Sequence, residues 1–344
     1  MAINCPLDAK RRFACKELST NELVNIIKYL FELKKKPVRG LLAVEWVVLG
    51  YTVLTLLLML FTYTKVYNPV SMLIGRFQAV AIILALWGVY RMVPCRLTHF
   101  ARIGAQLALL SWWYPDTYEF NRMFANLDHI FAGYEQAVFG CQPALTFAQT
   151  WSHPVWSELM HLGYASYFPL IALVTLFYFF CRYDQFNRMA FILLTAFFIF
   201  YVIFIFLPVA GPQFYYPAVG FDKIAAGVFP DVGHYFADHQ EMVELPGWNG
   251  GFFYDLVIIA HEAGERPTAA FPSSHVGITT VLLLLAWASR NRKLFFVVLP
   301  LFLLMCLATF YIQAHYVIDV LAGLVSGVVF YYALQAIYNK MKLT

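Results

Sequence analysis

Long apolar runs broken by short polar connections dominate the chain from about residue 41 onward. Runs close to the ~20 residues that carry a helix across a bilayer recur near 41–63, 75–94, 99–114, 158–181, 189–208, 274–289, 294–312 and 316–337. In hydrocarbon the backbone must satisfy its own hydrogen bonds, so these runs read as helices. A β-barrel would show short alternating segments, and the sequence has none. The pattern predicts an all-α fold, a polytopic membrane helical bundle of about eight transmembrane helices. The third run is the shortest of the eight.

Charge then orients the set, because basic residues gather in cytosolic connections. With the N-terminus in the cytosol, the inner connections hold Arg91 and Arg96, Arg182 and Arg188, the run Arg290 to Lys293, and a tail with Lys340 and Lys342. The two long loops, 115–157 and 209–273, then lie on the periplasmic or lumenal face. The second is mainly acidic, with Asp222, Asp231, Asp238, Glu241, Glu244, Asp255, Glu262 and Glu265. Without the third run, the basic leader would fall outside. Three parts are expected: a cytosolic leader over 1–40, two N-terminal transmembrane helices over 41–94, and a membrane-embedded core over 95–344. The leader carries an amphipathic stretch, Leu23 to Leu33, closed by Lys34-Lys35-Lys36. It reads as a topology signal or as a surface for acidic lipids, and the first is the simpler reading. It has no early apolar core with a cleavage site.

Composition agrees, with 61% hydrophobic and 13% charged residues, the latter half the ~25% of a soluble domain. A net charge of +4 offers little for nucleic acid. The six cysteines are scattered and form no CxxC pair, which suggests neither a disulfide framework nor a metal site. His261-Glu262 opens like a zinc-protease motif, but Glu265 stands where the second histidine belongs. No cofactor is called for. Trp112, Trp113 and Tyr114 sit where an interfacial aromatic belt is expected.

Two short segments carry chemistry. Phe271-Pro272-Ser273-Ser274-His275 lies where the second outer loop enters a span. Proline and serine suit a helix start, whose free amides and dipole favour an anion, and a histidine there can protonate a leaving oxygen. A capped helix with an interfacial histidine is the plainer alternative. His315-Tyr316-Val317-Ile318-Asp319 places a histidine and a carboxylate four apart on one helix face. Such a carboxylate can hold one imidazole proton and leave the other nitrogen as a nucleophile. A polar pair stapling two helices is the alternative here. Topology puts both histidines at the outer ends of their spans, at one membrane depth.

Together, FPSSH and H-x-x-x-D-x-x-x-G resemble the second and third signatures of the type 2 phosphatidic acid phosphatase superfamily, over the C-terminal two-thirds of the chain. The resemblance implies a six-helix core in which His315 attacks phosphorus, Asp319 activates it and His275 protonates the leaving group, with no metal. The first phosphatase signature, with its lysine and Arg-Pro, is missing. Ala308 and Thr309 stand where the third begins Ser-Arg. The stretch Thr309 to His315, and Leu207-Pro208-Val209-Ala210-Gly211-Pro212, resemble instead the inositol phosphorylceramide synthase branch. That branch implies transfer of a phospho-headgroup, phosphoinositol, from a glycerophospholipid donor to a ceramide or other lipid acceptor. Water as acceptor would make the enzyme a lipid phosphatase. A transporter or a structural membrane protein would need no His/His/Asp set. For the phosphoryl oxygens the sequence offers Ser273 and Ser274 at the helix start, Arg266, Arg122 and, more weakly, Lys223. Oligomeric state is not legible.

Overall fold

Residues 20–35 and 37–341 are described by the computed structural model, so Lys36 and Lys342 of the basic clusters lie outside the described residues. A short helix, α1 (Thr20–Leu30), precedes α2 (Ala43–Phe61), α3 (Pro69–Met92) and α4 (Arg96–Asn121). The first long loop holds α5 (Asp128–Phe139) and α6 (Pro143–Thr150). Next, α7 (Pro154–Ala165) and α8 (Tyr167–Cys181) share one expected run, bent by 48° at their junction. After α9 (Phe186–Phe206), the second long loop holds α10 (Pro212–Val219), α11 (Phe221–Ala225) and α12 (Phe252–Gly264). Finally α13 (Ser274–Ala288), α14 (Arg292–Tyr311) and α15 (Val317–Met341) complete the bundle. Among the described residues the only β pairing is an isolated bridge between Leu33 and Cys95.

Every expected run is thus helical. Five helical segments, corresponding to α2, α3, α9, α14 and α15, are long and apolar enough to cross a membrane, or six with the bent α7–α8 pair. The polytopic helical bundle is therefore what the chain forms. Large apolar side chains such as Phe77 and Val325 point outward, as hydrocarbon surroundings require. Inside, α9 is buried along most of its length and packs on α4, α15 and α2.

The shortest expected run, 99–114, grows into the 26-residue α4. Its polar residues Arg102, Gln106 and Asp116 face inward. Arg102 makes a buried ion pair with Glu45 of α2, and Asp116 a two-pronged one with Arg76 of α3, at 2.7 and 3.0 Å. Breaking such a pair strands a charge in the bundle, at a cost of about 3–5 kcal/mol. Glu45 also accepts the Leu42 amide at 2.7 Å, so it starts α2 as well as binding α4.

Three expectations need correction. Trp113 is not in an aromatic belt but fully buried against Tyr51 and Phe198, since α4 turns that face inward. The second span begins at Pro69 rather than 75, because proline's fixed φ suits a first helical position. Cys181 is disulfide-bonded, while Cys95, Cys141 and Cys306 are free.

Candidate active site

Both histidines sit at helix starts at the same end of the bundle. Ser273 caps α13, accepting the Val276 amide at 3.4 Å, and His275 follows in the first turn. His315 ends the short turn between α14 and α15. His315 Nε2 and His275 Nδ1 are 3.4 Å apart. His315 Nδ1 lies 2.7 Å from the Ala270 carbonyl oxygen, so it must carry the proton and donate it there. That leaves the Nε2 lone pair facing His275. Asp319 Oδ2 stands 3.7 Å from Nδ1, beyond hydrogen-bond range, and pairs with the ring as an ion only when the ring is charged. His275 in turn packs against the rings of Tyr164 and Tyr167, at 4.6 and 4.4 Å between centroids.

The segment 207–213 holds the two histidine loops together. The Val209 carbonyl accepts the Ala270 amide at 3.0 Å, and the Gln213 amide donates to the Gln313 carbonyl at 2.7 Å. Gly211 has φ +91°, and a Cβ there would stand 2.5 Å from the Ala314 carbonyl oxygen. Only glycine lets the backbone come so near. Asp128, at the start of α5, anchors this segment. Its carboxylate accepts Ala210 N at 2.6 Å, Gly211 N at 2.8 Å, Asn126 Nδ2 at 2.5 Å and the Tyr316 hydroxyl at 3.0 Å. One buried side chain thereby ties the segment to the residue next to His315.

Two more carboxylates fix the start of α15. Asp319 Oδ2 accepts the Tyr316 amide at 2.8 Å, reaching back as in a capping box. Glu135 of α5 accepts the Ile318 amide at 3.2 Å. Backbone strain concentrates in the same loops. Of the three non-glycine residues with positive φ among those described, Ala269 (67°) precedes the carbonyl that holds His315, and Gln313 (65°) lies two residues before it.

Burial pushes His315 down to about 4, against the upward pull of the Ala270 carbonyl and the Glu265 carboxylate. The ring is therefore neutral at ordinary pH, as a nucleophile must be. Glu265 follows α12 and accepts from the Tyr114 hydroxyl and Gln213 Nε2, both at 3.2 Å. Burial raises its carboxyl above the usual range.

The expected binding residues divide. Ser273 and Ser274 are buried at the head of α13. Arg266 turns one guanidinium nitrogen onto the Glu265 carbonyl, 2.7 Å away. Arg122 is engaged elsewhere: its guanidinium bonds the Ala237 carbonyl and lies over the Tyr67 ring at 3.3 Å. Lys223 is exposed on α11. Asp128, Glu135, Tyr164, Tyr167 and Gln213 were not singled out from the sequence. Each acts across the fold on a distant loop, and no short motif marks such a role. His161 and His261 are buried as well.

Among the described residues, no group of three His, Cys, Asp or Glu could hold a metal ion. The arrangement pairs a neutral imidazole lone pair with a second imidazole, beside a capped helix start. It suits nucleophilic attack on phosphorus with proton transfer to the leaving oxygen. A family model described as PAP2 superfamily matches residues 129–333. Searches of curated proteins and of solved structures returned no match. The match spans more than half of the chain and takes in both histidine loops and the 207–213 segment that joins them, and the protein belongs to the PAP2 superfamily.

Proposed function

We propose that the protein is a membrane lipid phosphotransferase that moves a phospho-headgroup, phosphoinositol, from a glycerophospholipid to a ceramide-type hydroxyl. Superfamily membership and the apolar helices fit the broader class, a membrane lipid phosphatase or phosphotransferase. The observation that carries the mechanism is the pair of facing ring nitrogens at 3.4 Å, with the far nitrogen of His315 committed to Ala270.

On this reading His315 Nε2 bonds to phosphorus as the bond from phosphorus to the diacylglycerol oxygen breaks. His275 gives that oxygen its proton. The acceptor hydroxyl then attacks phosphorus, its proton passes to His275, and the P–N bond breaks. Both rings end as they began, and the route uses no metal. A 3.4 Å gap does not admit a phosphoryl group, so substrate entry parts the two rings. The free amides at the head of α13, Ser273, Ser274 and Arg266 are the donors available for the phosphoryl oxygens. Asp319 serves as counter-charge to His315.

Transfer rather than hydrolysis is favoured by Ala308 and Thr309, which are buried on α14 where the phosphatase signature has Ser-Arg. The basic turns at the far end of the bundle support a reading with the histidines on the periplasmic or lumenal face and both termini in the cytosol. The test is purified protein with headgroup-labelled phosphatidylinositol, with and without ceramide. Label should move into a sphingolipid only when ceramide is present. Water-soluble label released at full rate without acceptor would make the enzyme a phosphatase instead.

A further inference from the structure

The α13–α14 pair is a helical hairpin whose open ends lead to His275 and His315. Its closed end, roughly 22 Å from His275 along the 15 residues of α13, plays no part in the chemistry above. There a hollow of about 560 Å³ is lined by Trp287, Arg290, Arg292, Phe295 and Phe296. Trp287 and Phe296 are 68% and 64% exposed, so large apolar rings stand beside cations at the rim of the bundle. Trp287 and Phe295 meet edge to face at 5.1 Å and form one wall.

Among the described residues these cations, Arg290, Arg292 and Lys293, have no ion-pair partner. Their neighbour Arg182 contrasts with them, since it donates to the Ser289 carbonyl at 3.1 Å and so finishes α13. Arg290 is also the third of the non-glycine residues with positive φ, at 57°. It occupies the position just past a helix end where glycine is the usual residue. A strained arginine kept at that point, with its guanidinium unpaired, suggests a role for the side chain itself.

We propose that this corner binds the phosphate-bearing headgroup of an anionic lipid in the leaflet opposite the histidines. The two guanidinium groups of Arg290 and Arg292 face the phosphate, and the aromatic wall takes the upper acyl chains. Unpaired cations with exposed aromatic rings at a membrane boundary match that ligand in charge and in polarity. The site is independent of the transfer reaction, because it lies at the other end of α13.

Photo-crosslinking tests it in phosphatidylcholine nanodiscs holding the full chain. The probes are phosphatidylglycerol and phosphatidylcholine, each with a diazirine near the headgroup, and adducts are mapped by peptide. The anionic probe should label 287–296 about tenfold more than the neutral one. Arg290→Gln with Arg292→Gln should bring it to the neutral level while labelling near the histidines stays unchanged. Arg290→Gly should lose label yet melt higher, because glycine relieves the strained backbone. Equal labelling by both probes, or full labelling of either variant, overturns the proposal. So does competition by excess glycerol 3-phosphate, which would mark a site for free phosphate rather than for lipid.

Discussion

The nearest Asp319 oxygen stops 3.7 Å from His315 Nδ1, too far for a hydrogen bond. That oxygen is held instead by the Tyr316 amide, at 2.8 Å. Asp319 thus begins α15 and is no proton acceptor for the neutral ring, but it can oppose the positive charge that develops on His315 when phosphorus is attacked. At about 4 Å and an effective dielectric of 20, a charge pair is worth ~4 kcal/mol. Asp319→Asn keeps an oxygen for Tyr316 but loses the charge that steadies the cationic phospho-imidazole. We expect kcat to fall by about a hundredfold or more with little change in melting temperature. Asp319→Ala should lose a further ~1 kcal/mol of stability with the cap. Turnover by Asp319→Asn close to that of the parent would remove the electrostatic role.

Burial holds His315 down to about 4, and this has two consequences. As the nucleophile must be neutral, kcat/KM should keep its His315-dependent part down to about pH 4 and fall tenfold per unit below. The sign for stability follows from the same shift. The unfolded chain takes up this proton near pH 6.5, before the folded one does, so folding weakens as pH falls from about 6.5 toward 4. A limb centred near 6.5 in activity would mean that His315 is solvated or that another group attacks.

The sequence carried the helices well, because crossing hydrocarbon forces long apolar runs and the positive turns orient them. It also singled out His315 and Asp319 by their four-residue spacing, and His275 by its place at a helix start; the fold sets the two rings 3.4 Å apart. What it concealed were partners far apart in the chain. Nothing local marks Asp128 as the anchor of Ala210 and Gly211, or pairs Arg102 and Asp116 of α4 with Glu45 and Arg76. Arg122 looked available because it is a basic residue in the first outer loop. In the fold, Tyr67 and Ala237 occupy it.

Asp128 should be among the least replaceable residues outside the histidine loops. Asp128→Ala would leave Ala210 N, Gly211 N and the Tyr316 hydroxyl without their acceptor in a buried place. Each such orphan costs about 1–3 kcal/mol, so a loss of roughly 3 kcal/mol or more is expected. Activity should go with it, since the 207–213 segment would no longer fix Ala270 and Gln313. Asp128→Asn restores one acceptor and should be milder in both respects. Thermal unfolding in detergent reads this directly, and an unchanged melting temperature in Asp128→Ala refutes the anchoring role.

Glu135 gives a pH-dependent test of the α15 start. Burial pushes its carboxyl up to about 7, with the Ile318 amide pulling the other way. A carboxyl raised on folding adds stability below its unfolded value, near 4.3, and that stability is lost as pH rises through 7. Glu135→Gln keeps the acceptor oxygen without the titration. The variant should match the parent at pH 5 and melt a few degrees higher at pH 8. Equal melting temperatures at both values would show that Glu135 ionises freely.

Gly323 separates the packing of the bundle from the chemistry of the site. It lies on α15 against the head of α13, where an added Cβ would stand 2.5 Å from the Ser273 carbonyl oxygen. A backbone atom cannot step aside as a side-chain tip can, so Gly323→Ala must push α13 and α15 apart. Overpacking of this kind costs about 1–3 kcal/mol. Ser273 also donates its amide to the Asp319 carbonyl at 3.0 Å, so the same displacement moves the His275 loop away from the His315 helix. The facing nitrogens would then part in the resting enzyme. We expect kcat to drop by about tenfold or more, as small misplacements of reacting groups do, while headgroup preference is kept. Gly104→Ala is the control, because its Cβ would meet nothing nearer than Phe100 at 3.7 Å. If Gly323→Ala turns over as fast as Gly104→Ala, the closeness of α13 and α15 does not set the geometry of the two histidines.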